Sequence, residues 1–113
     1  MSIRRIKTGP RLSQIVVHGQ TVYLAGQIAT GATVAEQTRA VLGQIDSLLA
    51  EVGSDKTKIL SAMIYLADMS TFSELNKEWE AWVAPGNAPT RATVEASLAT
   101  PEYKVEIVVV AAL

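Results

Sequence analysis

The chain has 113 residues, room for one domain, and is read as a single domain over residues 1–113. Hydrophobic residues make 49% and charged residues 19%, below the ~25% charged fraction of an ordinary soluble domain; this excludes a disordered chain and suggests that a partner covers some outer surface. Ten Lys and Arg against eleven Asp and Glu give a net charge of -1 with no like-charge block, a poor match to a phosphate backbone, so no nucleic-acid partner is expected.

Without cysteine there is no disulfide framework, thiolate nucleophile or iron–sulfur site, and one histidine, His18, removes any multi-histidine metal centre. No metal ligand set is assigned. The opening MSIRRIKTGP has basic residues but no apolar run behind them, so no secretory signal is readable. Residues 12–35 carry no formal charge, yet Gly, Gln and Thr interrupt them too often for a membrane span. The expectation is a cytoplasmic protein without a membrane partner.

In chain order, Gln14-Ile15-Val16-Val17 and Thr21-Val22-Tyr23-Leu24-Ala25 flank His18-Gly19-Gln20, the pattern of a β-hairpin. Between 34 and 52 the period becomes helical: Val34, Val41, Leu42, Ile45, Leu48, Leu49 and Val52 form one stripe. Thr33 with Glu36 fits a capping box, and Gly53 suits the position just past the helix end. Residues 59–67 are nearly uncharged and read as a strand buried on both faces. Ser70 or Thr71 starts a second helix, with Thr71 and Glu74 again a capping-box pair. Its stripe is Phe72, Leu75, Trp79, Trp82 and Val83, closed by Pro85-Gly86. Strands over 90–96 and 104–112 complete an order ββαβαββ, an α+β sandwich with both helices on one face of the sheet.

Two helices can cover only one face of such a sheet. The strands at 59–67 and 104–112 nevertheless carry apolar residues at even and odd positions, which alternate between faces. Another copy of the chain is expected on the uncovered face.

Arg91 is the most informative ionisable residue, at a strand start beside a proline-stiffened loop, and Glu106 lies amid Val105, Ile107 and Val108 on the last strand. If their strands are neighbours, the two can approach across the sheet. They then form either a structural ion pair at a subunit interface or a guanidinium fork for a small carboxylate, with Glu106 left to handle a proton or a water. Asn76 falls inside the apolar stripe of the second helix and needs partners, from a loop backbone or from a ligand. His18 reads as a solvated turn residue, and Trp79 and Trp82 as helix-face core. Gly26 lacks the spacing of any phosphate-binding loop.

Several segments carry a resemblance. They are Gly9-Pro10 with Leu12-Ser13-Gln14, the hairpin, Ala25-Gly26-Gln27-Ile28, Glu36-Gln37-Thr38, Gly53 and Tyr65-Leu66-Ala67-Asp68-Met69. Phe72, Asn76, the Pro89-Thr90-Arg91-Ala92 box and Val105-Glu106-Ile107 continue the series. In this order, over almost the whole chain, the sequence resembles the YjgF/YER057c/UK114 family, also called the Rid family.

The resemblance implies a chorismate-mutase-like fold and a homotrimer with a central barrel, helices outside and clefts between subunits. In active branches it implies a 2-iminoacid/2-enamine deaminase that hydrolyses imines such as 2-iminopropanoate to the 2-oxo acid and ammonia, with no cofactor. By the same resemblance Arg91 grips the substrate carboxylate, Glu106 lies near the catalytic water and Asn76 stands at the cleft. Gly26 and Gln27 match a Ser-Gly-Gln segment in which Ala25 replaces the serine. Leu12 stands where a tyrosine is common, and Thr93 where cysteine is frequent; these positions count as substrate-binding. The rival readings are a non-catalytic trimer that senses a small carboxylate and, less favoured by the charge and the sole histidine, an endoribonuclease.

Overall fold

A computed structural model describes residues 1–113. Six strands make one mixed sheet: β1 (Ile3–Thr8), β2 (Ser13–His18), β3 (Thr21–Leu24), β4 (Ile59–Leu66), β5 (Thr90–Glu95) and β6 (Val105–Ala112). Their order is β1-β2-β3-β6-β4-β5, and every neighbouring pair is antiparallel except β4 with β5. Both helices, α1 (Val34–Glu51) and α2 (Phe72–Trp82), pack on one side, as the ββαβαββ reading required. The strand it lacked is β1, whose side chains are all exposed except the half-buried Ile6. A strand of Arg4, Arg5 and Lys7 at a sheet edge is held by backbone pairing to β2, so no apolar alternation announces it.

The hairpin closes through a two-residue loop, with His18 opposite Thr21 and Gly19 at φ +62°. A positive φ at the first loop position matches the right-handed twist of the flanking strands and favours glycine there. His18 is exposed, as a turn residue should be.

Thr33 caps α1 by accepting a hydrogen bond from the Glu36 N–H at 3.1 Å, while the Glu36 carboxylate reaches back to the Ala32 N–H. The capping box therefore forms, shifted by one residue on its return arm. The second pair does not form. The Thr71 hydroxyl donates to the Asp68 carbonyl, because Thr71 lies in a short 3-10 turn (Met69–Thr71) ahead of α2. Glu74 is thereby free to accept the Ala35 N–H at the start of α1, and Arg39 meets Glu78 at 2.8 Å one turn further along. These contacts align the two helices in parallel, with Trp82 donating to Asp46 near their far ends.

The core lies between this helix layer and one face of the sheet, with Ile15, Leu42, Ile45, Ile64, Leu75 and Ile107 fully buried or nearly so. Along β4 and β6 burial alternates strictly over most of the length: Ala62, Ile64, Leu66, Val105, Ile107 and Val109 point to the helices. Ser61, Met63, Tyr65, Val108 and Val110 point the other way and are half-buried within the chain. The expectation that residues 59–67 are buried on both faces is thus met on one face only. The other face carries a groove of about 380 Å³ beside β5, with no helix over it.

Gln37 is fully buried and joins three segments. Its amide donates to the carbonyls of Gly31 (3.0 Å) and Glu102 (2.9 Å), and its side-chain oxygen accepts the Lys104 N–H at 2.8 Å. In Gln37→Met the two carbonyls and the N–H lose their partner at constant bulk. A cost of ~3 kcal/mol, from ~1–3 kcal/mol per stranded group with partial relief by water, should lower the melting temperature by roughly 10 °C. Calorimetry checks this; a shift below ~2 °C would mean that water replaces the amide without loss.

Candidate functional site

The candidate site residues fall into two groups, which a single chain keeps apart. The first surrounds the exit of β3. After Leu24 the chain kinks and rejoins the sheet at Gln27, which exchanges both backbone hydrogen bonds with Ile107. Gln27 points inward and is buried; its amide donates to the Gln14 side-chain oxygen at 2.9 Å and to the Ala25 carbonyl at 3.0 Å. Between them, Gly26 is exposed, and neither its N–H nor its carbonyl has a hydrogen-bond partner in the chain. The Glu106 carboxylate lies directly over Gly26, in the space a Cβ would take. It forms no salt bridge and no hydrogen bond. Gly26 and Gln27 also line a cleft of about 640 Å³ that runs between the sheet and α1, past Ala40, Gly43 and Ser47. Leu12 stands two residues before Gln14 in the β1–β2 turn, 51% exposed.

The second group lies at the opposite end of the sheet, between β5 and α2. Arg91 is half-buried, and its guanidinium carbon sits 5.6 Å from the centre of the Phe72 ring and 5.5 Å from that of Trp79. No carboxylate lies within ion-pairing distance, and its N–H groups have no hydrogen-bond acceptor. Thr93, two residues on and hence on the same face of β5, has a buried hydroxyl without a partner. Asn76 lies between Phe72 and Trp79 on the same helical stripe, half-buried, and its amide makes no hydrogen bond. The alternative in which a loop backbone satisfies Asn76 is therefore not realised within the chain.

The condition attached to Arg91 and Glu106 fails. Their strands are not neighbours, because β4 runs between β5 and β6. Arg91 pairs with Ala62, and Ala62 with Val109, whereas Glu106 pairs with Tyr65. Two strand spacings and a three-residue offset set their backbones roughly 14 Å apart. The odd offset also puts them on opposite faces of the sheet, Arg91 toward the helices and Glu106 toward the bare side. Hydropathy patterns could not reveal this, since they fix the faces of a strand but not its neighbours.

Helical periodicity accounts for Trp79 only as core and for Phe72 only as part of the apolar stripe. Trp79 is core, at 6% exposure, but one face of its ring receives the guanidinium. The signal available in the sequence was Phe72, Asn76 and Trp79 at helical spacing, a polar amide between two aromatics.

A model of the endoribonuclease L-PSP family matches residues 2–113. The chain belongs to this family. A RutC family protein of Haemophilus influenzae is 48% identical over 98% of both chains. The crystal structure of a YjgF family protein from Neisseria meningitidis superposes with a TM-score of 0.97 at 50% identity, covering 99% of this chain and 95% of that one. A more distant relative, the 2-iminobutanoate/2-iminopropanoate deaminase of Rattus norvegicus, is 27% identical over 88% of this chain and 77% of its own. The resemblance to the YjgF family is thus established, and the two helices on one side of a mixed sheet are the architecture of its solved members. No helix is long and apolar enough to cross a membrane.

The placement of Glu106 over Gly26 gives a direct test of the first group. In Gly26→Ala the new Cβ displaces the free end of a flexible side chain, not backbone, so the melting temperature should change by less than ~2 °C while the carboxylate swings away. A crystal structure of the variant checks this, and an unmoved Glu106 with a shifted backbone would contradict it.

Proposed function

We propose that this chain is a 2-iminoacid/2-enamine deaminase that acts as a homotrimer on small reactive imines. The observation that carries the reading is the pair of unsatisfied charges: Arg91 and Glu106 are each half-buried, each without a counter-ion, and each at the edge of an open cleft or bare face. Half-buried charges are costly to leave unpaired, so a ligand or a second subunit is the natural partner for both. The deaminase named among the relatives supports the choice of ligand.

In this reading one subunit supplies Arg91, Asn76 and Thr93, and its neighbour supplies Glu106, Ala25, Gly26, Gln27 and Leu12. The guanidinium edge grips the substrate carboxylate with two parallel hydrogen bonds. The free backbone groups of Gly26 hold the imine nitrogen. Water adds to the electrophilic carbon of the protonated imine, with Glu106 taking one proton from the water, to give a neutral tetrahedral 2-amino-2-hydroxy acid. Glu106 returns that proton to the nitrogen, the C–N bond breaks to release ammonia, and the hydroxyl group gives its own proton to the departing ammonia as the new carbonyl completes the 2-oxo acid. An imine hydrolyses in water unaided, so orientation and a placed water supply the acceleration. No step calls on a cofactor or metal. The small imino or enamino acid and the other two subunits are the only partners invoked; nucleic acid has no part in the scheme.

The bare sheet face, with Tyr23 at 48% exposure and Met63, Val108 and Val110 half-exposed, supplies the trimer contact. Sedimentation equilibrium should give three copies at micromolar concentration, burying more than ~1,000 Å² per contact; a stable monomer would refute the assembly.

A second reading starts from the same two unpaired charges: Arg91 and Glu106 satisfy each other across a subunit boundary as a purely structural pair. Arg91→Ala separates the two. As the carboxylate grip, its loss should cut hydrolysis of 2-iminopropanoate, generated in situ by an amino-acid oxidase, by at least ~100-fold, the scale of a lost charged hydrogen-bond pair. The folded trimer should persist. As a structural pair, its loss would strand Glu106, lower the melting temperature and leave the remaining folded protein active.

A further inference from the structure

Phe72 is the first residue of α2 and Trp79 lies seven positions further on, so the two share one stripe, their backbones about 10.5 Å apart along the helix axis. The Arg91 guanidinium lies over both rings, its central carbon 5.6 Å from one centre and 5.5 Å from the other. A planar, weakly hydrated cation gains from both aromatic faces, whereas the ammonium of lysine would sit there as a point charge. The N–H donors of the guanidinium remain without protein acceptors. Arginine is flexible, and a carboxylate site built on it loses affinity for every rotamer frozen at binding. Here the freezing is already done by α2.

We propose that Phe72 and Trp79 are positioning residues, an aromatic clamp that holds the Arg91 guanidinium with its donor edge presented for a carboxylate. The clamp rests on the proposed function for its consequence in turnover, but not for its geometry. It sets how tightly the substrate carboxylate is bound and leaves the chemical step at Glu106 to other groups. The two halves of the clamp differ in exposure: Trp79 is buried, while Phe72 is 37% exposed and can be altered with little risk to folding.

The experiment compares wild type, Phe72→Leu and Phe72→Tyr, with Trp79→Phe as a second position. Leucine keeps apolar contact but has no aromatic face; tyrosine and phenylalanine keep one. Phe72→Leu should raise KM for 2-iminopropanoate roughly five- to thirtyfold, the range of a cation–aromatic contact from exposed to desolvated, with kcat within about twofold. Phe72→Tyr and Trp79→Phe should stay within about threefold of wild-type KM. In parallel, the Arg91 Nε–H resonance, assigned by its loss in Arg91→Lys, should be shifted by ring currents in wild type and Phe72→Tyr. In Phe72→Leu it should move toward the free-arginine position and broaden. An unchanged resonance and unchanged KM in Phe72→Leu would overturn the clamp, as would a loss in kcat at constant KM. Should wild type turn over no imine while the resonance behaves as expected, the clamp stands and the deaminase reading fails.

Discussion

A single buried amide sets the position of the strand that organises the molecule. Gln37 holds the carbonyl of Glu102 and the N–H of Lys104, and Lys104 immediately precedes β6. The entry of β6 into the sheet is therefore fixed from α1, across 65 and 67 residues of sequence. Everything that follows on β6 inherits that register: Val105 opposite Leu66, Glu106 opposite Tyr65, and Ile107 exchanging hydrogen bonds with Gln27. Glu106 stands over Gly26 because Gln37 stands beneath Lys104. An apolar residue at position 37 would fill the same space and leave that alignment to packing alone, which tolerates small slips far better than directional hydrogen bonds do.

The two ends of the sheet solve different problems. Around Gly26 it is the backbone that is presented: an exposed N–H and carbonyl, a glycine that leaves room for a carboxylate, and a buried Gln27–Gln14 bond that holds the kink in place. Around Arg91 it is the side chains that are presented, against the aromatic stripe of α2. The parallel alignment of α1 with α2, through Glu74 to Ala35 and Glu78 to Arg39, keeps the aromatic stripe of α2 over β5. Each end thus presents a half-buried charge with no counter-ion in the same chain.

The sequence made the helices legible because their apolar stripes and caps are local properties: α1 runs from the expected Val34 to within one residue of the expected end, with Gly53 at φ +77° just beyond. The hairpin was legible for the same reason. β1 was not, since an edge strand with exposed arginines owes its conformation to a neighbour and not to its own pattern. The parallel pairing of β4 with β5 was equally hidden, and with it the separation of Arg91 from Glu106. The candidate site residues come from motif resemblance, whereas their division between two distant groups depends on strand order, which no local window contains. The Thr71–Glu74 pair shows the converse error: a correct local motif displaced when Asp68 and α1 offered those groups better partners.

The strand order also bears on how the chain reaches its native state. In chain order β6 follows every other strand, yet it lies in the middle, between β3 and β4. Until it docks, β1-β2-β3 can form as a local meander and β4-α2-β5 as a separate crossover unit, with no strand to join them. The contact that unites them pairs Tyr23 with Val110, 87 positions apart in the sequence. Loop-closure entropy makes such a contact slow to form, and during that wait the inner edges of β3 and β4 are open to other strands. Completion of the sheet thus hinges on the eight-residue strand Val105–Ala112. Glu106 lies on that same strand, so an incompletely folded chain has no carboxylate over Gly26 and no continuous bare face.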